Sequence, residues 1–127
     1  MTRLLLVALA GALGTCARYL VGLWAPRVLG TGFPYSTLIV NLVGCFLIAA
    51  VTEVAASTAL LSPTLRITLT TGFMGGLTTY SSFNLETTQL LQSRAWYAGA
   101  VNFGATVGGC FFAGLLGLAV ARRAFGP

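Results

Sequence analysis

Four apolar stretches, at about 4–23, 35–58, 65–91 and 97–121, take up most of this chain. Each is near or above the ~20 residues that cross a bilayer as helix. The connections between them are short, so the chain has to fold as a bundle of spans. Composition agrees: 57% of the 127 residues are hydrophobic and 7% are charged, where a soluble domain carries about a quarter charged. The expected architecture is an all-α membrane protein, with 1–127 forming a single four-span domain. A formal charge of +5 comes from seven arginines set against Glu53 and Glu86, with no lysine, aspartate or histidine. Sparse arginines at segment ends suit anionic lipid head groups or an anionic permeant, whereas a nucleic-acid surface needs clustered basic residues. Without histidine or a paired Asp and Glu there is little for acid–base or metal hydrolysis, and an enzyme is not expected. Cys16, Cys45 and Cys110 lie in different stretches, in no CxxC or zinc spacing. They read as small buried residues.

The third stretch is the unusual one. As unbroken helix it would run to about 40 Å against a hydrocarbon core of ~30 Å. Its middle reads Gly72-Phe73-Met74-Gly75-Gly76-Leu77-Thr78-Thr79-Tyr80-Ser81-Ser82-Phe83. Glycines at 72, 75 and 76 loosen the helix, and the hydroxyls that follow satisfy freed backbone groups. A break at 75–79 is predicted. Irregular backbone at membrane depth is tolerated only when buried in protein or lining a polar cavity, so the break is a candidate ion or substrate site.

Signals at the span ends set the frame. Trp24-Ala25-Pro26-Arg27 and Gly30-Thr31-Gly32-Phe33-Pro34 form a first loop with interfacial aromatics and two helix-stopping prolines. Ser62-Pro63 supplies an N-cap followed by proline at the first helical position. Gln92-Ser93-Arg94 is a turn before Trp96 and Tyr97 at the next interface. Leu13-Gly14-Thr15-Cys16 brushes against a lipoprotein cleavage pattern, but threonine before the cysteine fits poorly and the apolar run continues, so the segment is read as a span. An even number of spans puts both termini on one side with Arg3, Arg66, Arg122 and Arg123, against Arg27, Arg94 and Arg18. So small a bias sets orientation weakly. Insertion in both orientations with antiparallel pairing, and a simple N-in protein, both stay open.

Several polar residues lie inside the spans. Thr37, Asn41 and Cys45 are four apart in the second, and Asn102, Thr106 and Cys110 repeat the spacing in the fourth. Each set makes a polar line on one helix face. One such line is commonly interhelical glue; two lines beside a broken helix favour a permeation pathway. Arg18 either snorkels to the interface or concentrates anions at a pore mouth. Glu86 lies one turn past Ser82, and an intramembrane acid is a functional candidate. Glu53 reads as a solvated end residue. Tyr80 and Phe83 share a face just after the break, as core aromatics or as positive ring edges turned toward a small anion. Gly104, Gly108, Gly109 and Gly114 read as a packing surface for close helix approach.

The blocks Gly11-Ala12-Leu13-Gly14-Thr15-Cys16-Ala17-Arg18-Tyr19, Asn41-Leu42-Val43-Gly44-Cys45-Phe46 and Gly72 to Phe83 followed by Glu86 occur in order. With them the chain resembles, over nearly its whole length, the fluoride-specific channel family (Fluc, CrcB-type proteins). The resemblance implies a homodimer of antiparallel four-span protomers in the cell membrane, with two pores of mixed-subunit lining and passive fluoride efflux that lowers cytoplasmic fluoride. It implies a structural sodium ion held by backbone carbonyls at positions matching Gly75 and Thr78 from both chains. Carried over likewise, Asn41 gives an amide donor to fluoride, Phe83 gives ring edges, and Ser81 and Ser82 flank the site. Asn102, Thr106 and Cys110 match the polar line of the fourth helix, Thr37 belongs to the permeation set, and Arg18 and Glu86 supply vestibule charge. The sequence departs from the pattern at Tyr80, usually phenylalanine, and at Cys110, often serine. Competing classes are a small multidrug exporter, which wants a mid-membrane acid that Leu4–Leu23 lacks, and a non-conducting assembly subunit.

Overall fold

The structure is a computed structural model that describes residues 1–126. Seven helical segments follow one another, with no strand among the described residues: α1 (Thr2–Leu29), α2 (Tyr35–Ser57), α3 (Pro63–Ile67), a π-helical segment (Thr68–Met74), α4 (Gly75–Leu77), α5 (Tyr80–Gln92) and α6 (Trp96–Phe125). Three of these, α1, α2 and α6, are long and apolar enough to cross a membrane. The third apolar stretch is divided into halves, each shorter than the ~20 residues a span needs.

Burial is inverted relative to a water-soluble bundle. Leu13 and Phe112 are 65% and 68% exposed, while Asn102 is 1% exposed and Asn41 7%. Apolar side chains on the outside and hydrogen-bonding ones within match a solvent that is itself hydrocarbon. α2 and α6 make the most extensive contact, α1 lies along the π-helical segment and α4, and α5 leans on α6.

Several ends follow from local chemistry. Ser62 caps α3 as expected: its hydroxyl accepts the Leu65 N–H at 3.2 Å, with Pro63 in the first turn. Pro26 differs from the expectation, because it lies inside α1 rather than stopping it. It removes one donor near the helix end, where few turns remain to be disrupted. Termination falls instead to Gly30, whose φ of 85° is the left-handed region open to glycine and whose N–H bonds the Pro26 carbonyl.

The glycines divide differently from the expectation. Gly72 and Gly76 are helical, and a Cβ on either would collide with α1: with Val7 and Ala10 at Gly72, with the Gly11 carbonyl at Gly76. Gly14 reciprocates, facing the Phe73 carbonyl and the Leu77 amide. Their role is close backbone approach, and the π-helical turn sits where that approach is tightest. On α6 the close contacts are made by Gly99 against Leu91, by Gly109 against Leu42, as expected, and by Gly117 against the Phe46 carbonyl, whereas Gly104 and Gly108 meet nothing in the chain.

Candidate functional site

Helix is lost at Thr78 and Thr79. Their backbones are extended, at φ/ψ of −81°/157° and −152°/116°. The Thr78 amide still closes α4 on the Met74 carbonyl, and the Thr78 hydroxyl donates to the same oxygen. The Thr79 peptide groups, by contrast, are taken up by a side chain. Asn41 Oδ1 accepts the Thr79 N–H at 2.8 Å, and Asn41 Nδ2 donates to the Thr79 carbonyl at 3.0 Å. This two-way clamp, buried on α2, satisfies the Thr79 N–H, which would otherwise be orphaned, and adds a second donor to the Thr79 carbonyl, which as the cap of α5 also takes that helix's first bond. Gly44, one turn below Asn41, leaves room for the Thr78 methyl, which a Cβ there would displace.

Thr79 then begins α5. Its hydroxyl accepts the Ser82 N–H at 3.2 Å and donates to Ser82 Oγ at 3.0 Å, with Ser81 Oγ 3.3 Å away. The four carbonyls of Gly75, Gly76, Leu77 and Thr78 thereby lose the amide four residues on that a continuous helix would offer them. The Thr79 N–H due to Gly75 goes to Asn41, and the Ser82 N–H due to Thr78 goes to Thr79 Oγ1.

Beside the break runs a groove of about 270 Å³ that brings together Asn41, Tyr80, Phe83, Thr106 and Cys110 with Cys45, Thr78 and Thr79. Phe83 is buried and meets Tyr80 edge-on at 5.7 Å, while Tyr80 is 78% exposed on the outer side. Thr106 Oγ1 is buried without a partner. A second cavity, of about 140 Å³, gathers Arg18, Thr37 and Ser82, and Thr79 lies in its wall as well as in that of the groove. Glu86 lines a third and wider cavity toward the 26–36 loop, where Thr37 Oγ1 donates to Glu86 Oε1 at 2.6 Å and Oε2 is unpartnered.

Not every expected residue meets this groove. Asn102 is bound elsewhere, donating at 2.9 Å to Thr87 Oγ1, which itself donates to the Phe83 carbonyl. The polar line of α6 is therefore glue at its first position and groove wall at the next two. Glu53 is not simply solvated: it receives Arg122 Nε at 2.9 Å and ties α2 to the end of α6. Sequence reasoning missed the hub role of Thr79 and the role of Thr87. Thr79 carried a signal, a threonine three residues before Ser82 at a predicted break; Thr87 carried none.

Three long apolar helices, an apolar exterior and a polar interior organised on a helix break define a multi-pass helical membrane protein. Residues 5–118 match the sequence model of the family described as CrcB-like protein, Camphor Resistance (CrcB). A protein of Sorangium cellulosum named fluoride-specific ion channel FluC is 52% identical over 123 residues, 97% of each chain. Proteins of that name from Geobacter metallireducens and Anaeromyxobacter sp. are 47% and 49% identical; they cover 97% and 89% of this chain and 99% and 90% of their own. The chain belongs to the CrcB-like family.

Proposed function

We propose that this protein is a fluoride-selective channel that lets the anion flow passively out of the cell, two copies packing antiparallel around a central sodium ion. The observation that carries the reading is the groove, where an amide, a free hydroxyl and an aromatic pair converge beside the break; full-length relatives bear a fluoride-channel name. On this reading residues 63–92 form the third of four spans.

Fluoride holds its water strongly, so a selective path has to offer several donors in series, each weak enough to release the ion. Asn41 has one amide N–H left after binding Thr79. Thr106 contributes an unengaged hydroxyl, Ser81 and Ser82 theirs at the start of α5, and Phe83 with Tyr80 the positive ring edges. The α5 N-terminus points its dipole at the same region, which favours an anion. Arg18, beside Thr37 in the second cavity, raises the anion concentration there. Glu86 and Thr37 lie further toward the mouth, and the Tyr80 hydroxyl and the Cys110 thiol tune passage.

The break also fits a hard cation. The Gly75 and Thr78 carbonyls have had their helical donors diverted, and Gly75 faces open space where a Cβ would touch nothing. Hard cations of this kind take oxygen ligands. Sodium held there by two chains would supply the charge those carbonyls need and fix the two breaks together. Gly104 and Gly108, open within the chain, belong to the face turned to the second copy.

The test is a fluoride-electrode measurement on liposomes loaded with fluoride or chloride. Fast fluoride release with little chloride release is expected. Folded, dimeric protein that releases no more fluoride than empty liposomes would overturn the proposal.

A further inference from the structure

Arg3, Arg66, Arg122 and Arg123 gather at one end of the bundle. Arg3 Nε donates to Thr64 Oγ1 at 3.1 Å, which ties the start of α1 to α3. Arg66, on α3, lines a cavity of about 320 Å³ with Ala55 of α2 and with Leu61, Pro63, Ile67 and Thr70. Arg122, next to Arg123 in the last turn of α6, pairs with Glu53, two residues before Ala55 on α2. The sequence holds only two acidic side chains, and neither serves Arg66. Glu53 is taken by Arg122, and Glu86 lines the cavity toward the 26–36 loop, where Thr37 bonds it. Among the described residues the Arg66 guanidinium has no hydrogen bond and no ion pair; Thr70 Oγ1 donates to the Arg66 carbonyl instead. A cation at the end of a span, with no counter-charge from its own chain, draws an anion from its surroundings.

We infer that the cavity between α2 and α3 binds one anionic glycerophospholipid, with its phosphate on Arg66 and its glycerol and upper acyl chain against Leu61 and Ile67. The guanidinium is a planar fork that matches phosphate oxygens two at a time. Ala55, Leu61, Pro63 and Ile67 make the remaining wall largely apolar, and Leu60 and Leu65 are exposed close by in the chain. A free anion would leave that apolar surface in water, whereas a lipid covers it. Arg3, Arg122 and Arg123 add attraction from the same end, which favours a net negative head group over a zwitterion. α3 leads through the π-helical segment into the break, so a lipid wedged against α2 braces the leading half of the third stretch. The site stands whether or not the protein conducts fluoride.

The experiment uses full-length protein, stripped of lipid in detergent and titrated with dioleoylphosphatidylglycerol or dioleoylphosphatidylcholine. Native mass spectrometry counts bound lipid per chain, and the melting temperature is followed in parallel. About one phosphatidylglycerol per chain is expected, held about fivefold or more tighter than phosphatidylcholine and raising the melting temperature further. Arg66→Gln should abolish the preference, and Arg27→Gln, at the opposite end of α1, should keep it. Ala55→Phe fills the cavity and leaves every charge in place. It should lose the bound lipid, which separates a built site from the diffuse positive charge of this end. Equal retention of the two lipids by the parent protein overturns the proposal, as does an undiminished preference in Arg66→Gln or Ala55→Phe. Glycerol phosphate in excess should leave the lipid bound; displacement by it would assign the cavity to a free phosphate and overturn the lipid.

Discussion

Asn41 gives the Thr79 N–H the acceptor that a continuous helix would have given it and adds a donor to the Thr79 carbonyl, both out of reach of water. Replacing it by leucine strands the buried Thr79 N–H at a cost of about 1–3 kcal/mol. Asn41→Leu is therefore expected to lower the melting temperature of the purified protein clearly and to abolish fluoride efflux. A variant that melts like the parent would mean the clamp contributes no stability, whatever its conductance. Phe83→Ile separates the two effects. It keeps an apolar group at a 4% exposed position and removes only the ring. Efflux should fall strongly with the dimer intact, and unchanged efflux would remove the aromatic edge from the mechanism. The importance of Asn41 was legible in the sequence as a lone amide in an apolar span. Its partner was not, because the Thr79 backbone becomes available only once the third helix has parted, and spacing along α2 carries no information about that event.

At the scale of elements, two close approaches govern the structure. α1 reaches the broken segment through Gly14 and Gly76, where a methyl would collide with backbone rather than with a side chain that could turn away. Gly14→Ala and Gly76→Ala should each destabilise by about 1–3 kcal/mol. Gly22→Ala, with nothing within 4 Å of its Cβ, should be neutral or mildly stabilising in the same thermal assay. The α5–α6 turn gives a prediction of the opposite sign. Arg94 holds φ at 62°, and the amides of Ser93, Arg94 and Ala95 all bond back into α5. A left-handed arginine costs about 1 kcal/mol that glycine would not, so Arg94→Gly should raise the melting temperature. The polar turn was visible in Gln92-Ser93-Arg94, but its handedness was not. The glycines of the third stretch were equally plain in the sequence and were read as loosening the helix, because one-dimensional reading does not say what lies across from a glycine.

For the whole molecule, the broad architecture was set by hydropathy, since only helices with their polar groups turned inward satisfy such a chain in a bilayer. The division of labour among the inner polar residues was not, because Asn102 and Thr106 look alike on α6 until Thr87 is seen to claim one and leave the other free. The proposed assembly makes its own prediction. If Gly75 and Thr78 carbonyls of two copies share one sodium ion, exchanging sodium for N-methylglucamine should lower the melting temperature and shift the protein toward monomer on gel filtration. A dimer indifferent to sodium would dismiss the ion from the interface. Thr79, finally, borders both the space beneath Asn41 and the one that holds Arg18. On the proposed anion path Thr79 stands between these two spaces, where its methyl and hydroxyl would meter what passes. Thr79→Ser, which trims the methyl and keeps the cap of α5, should quicken fluoride transit, whereas Thr79→Val, similar in size but without the hydroxyl, should slow it.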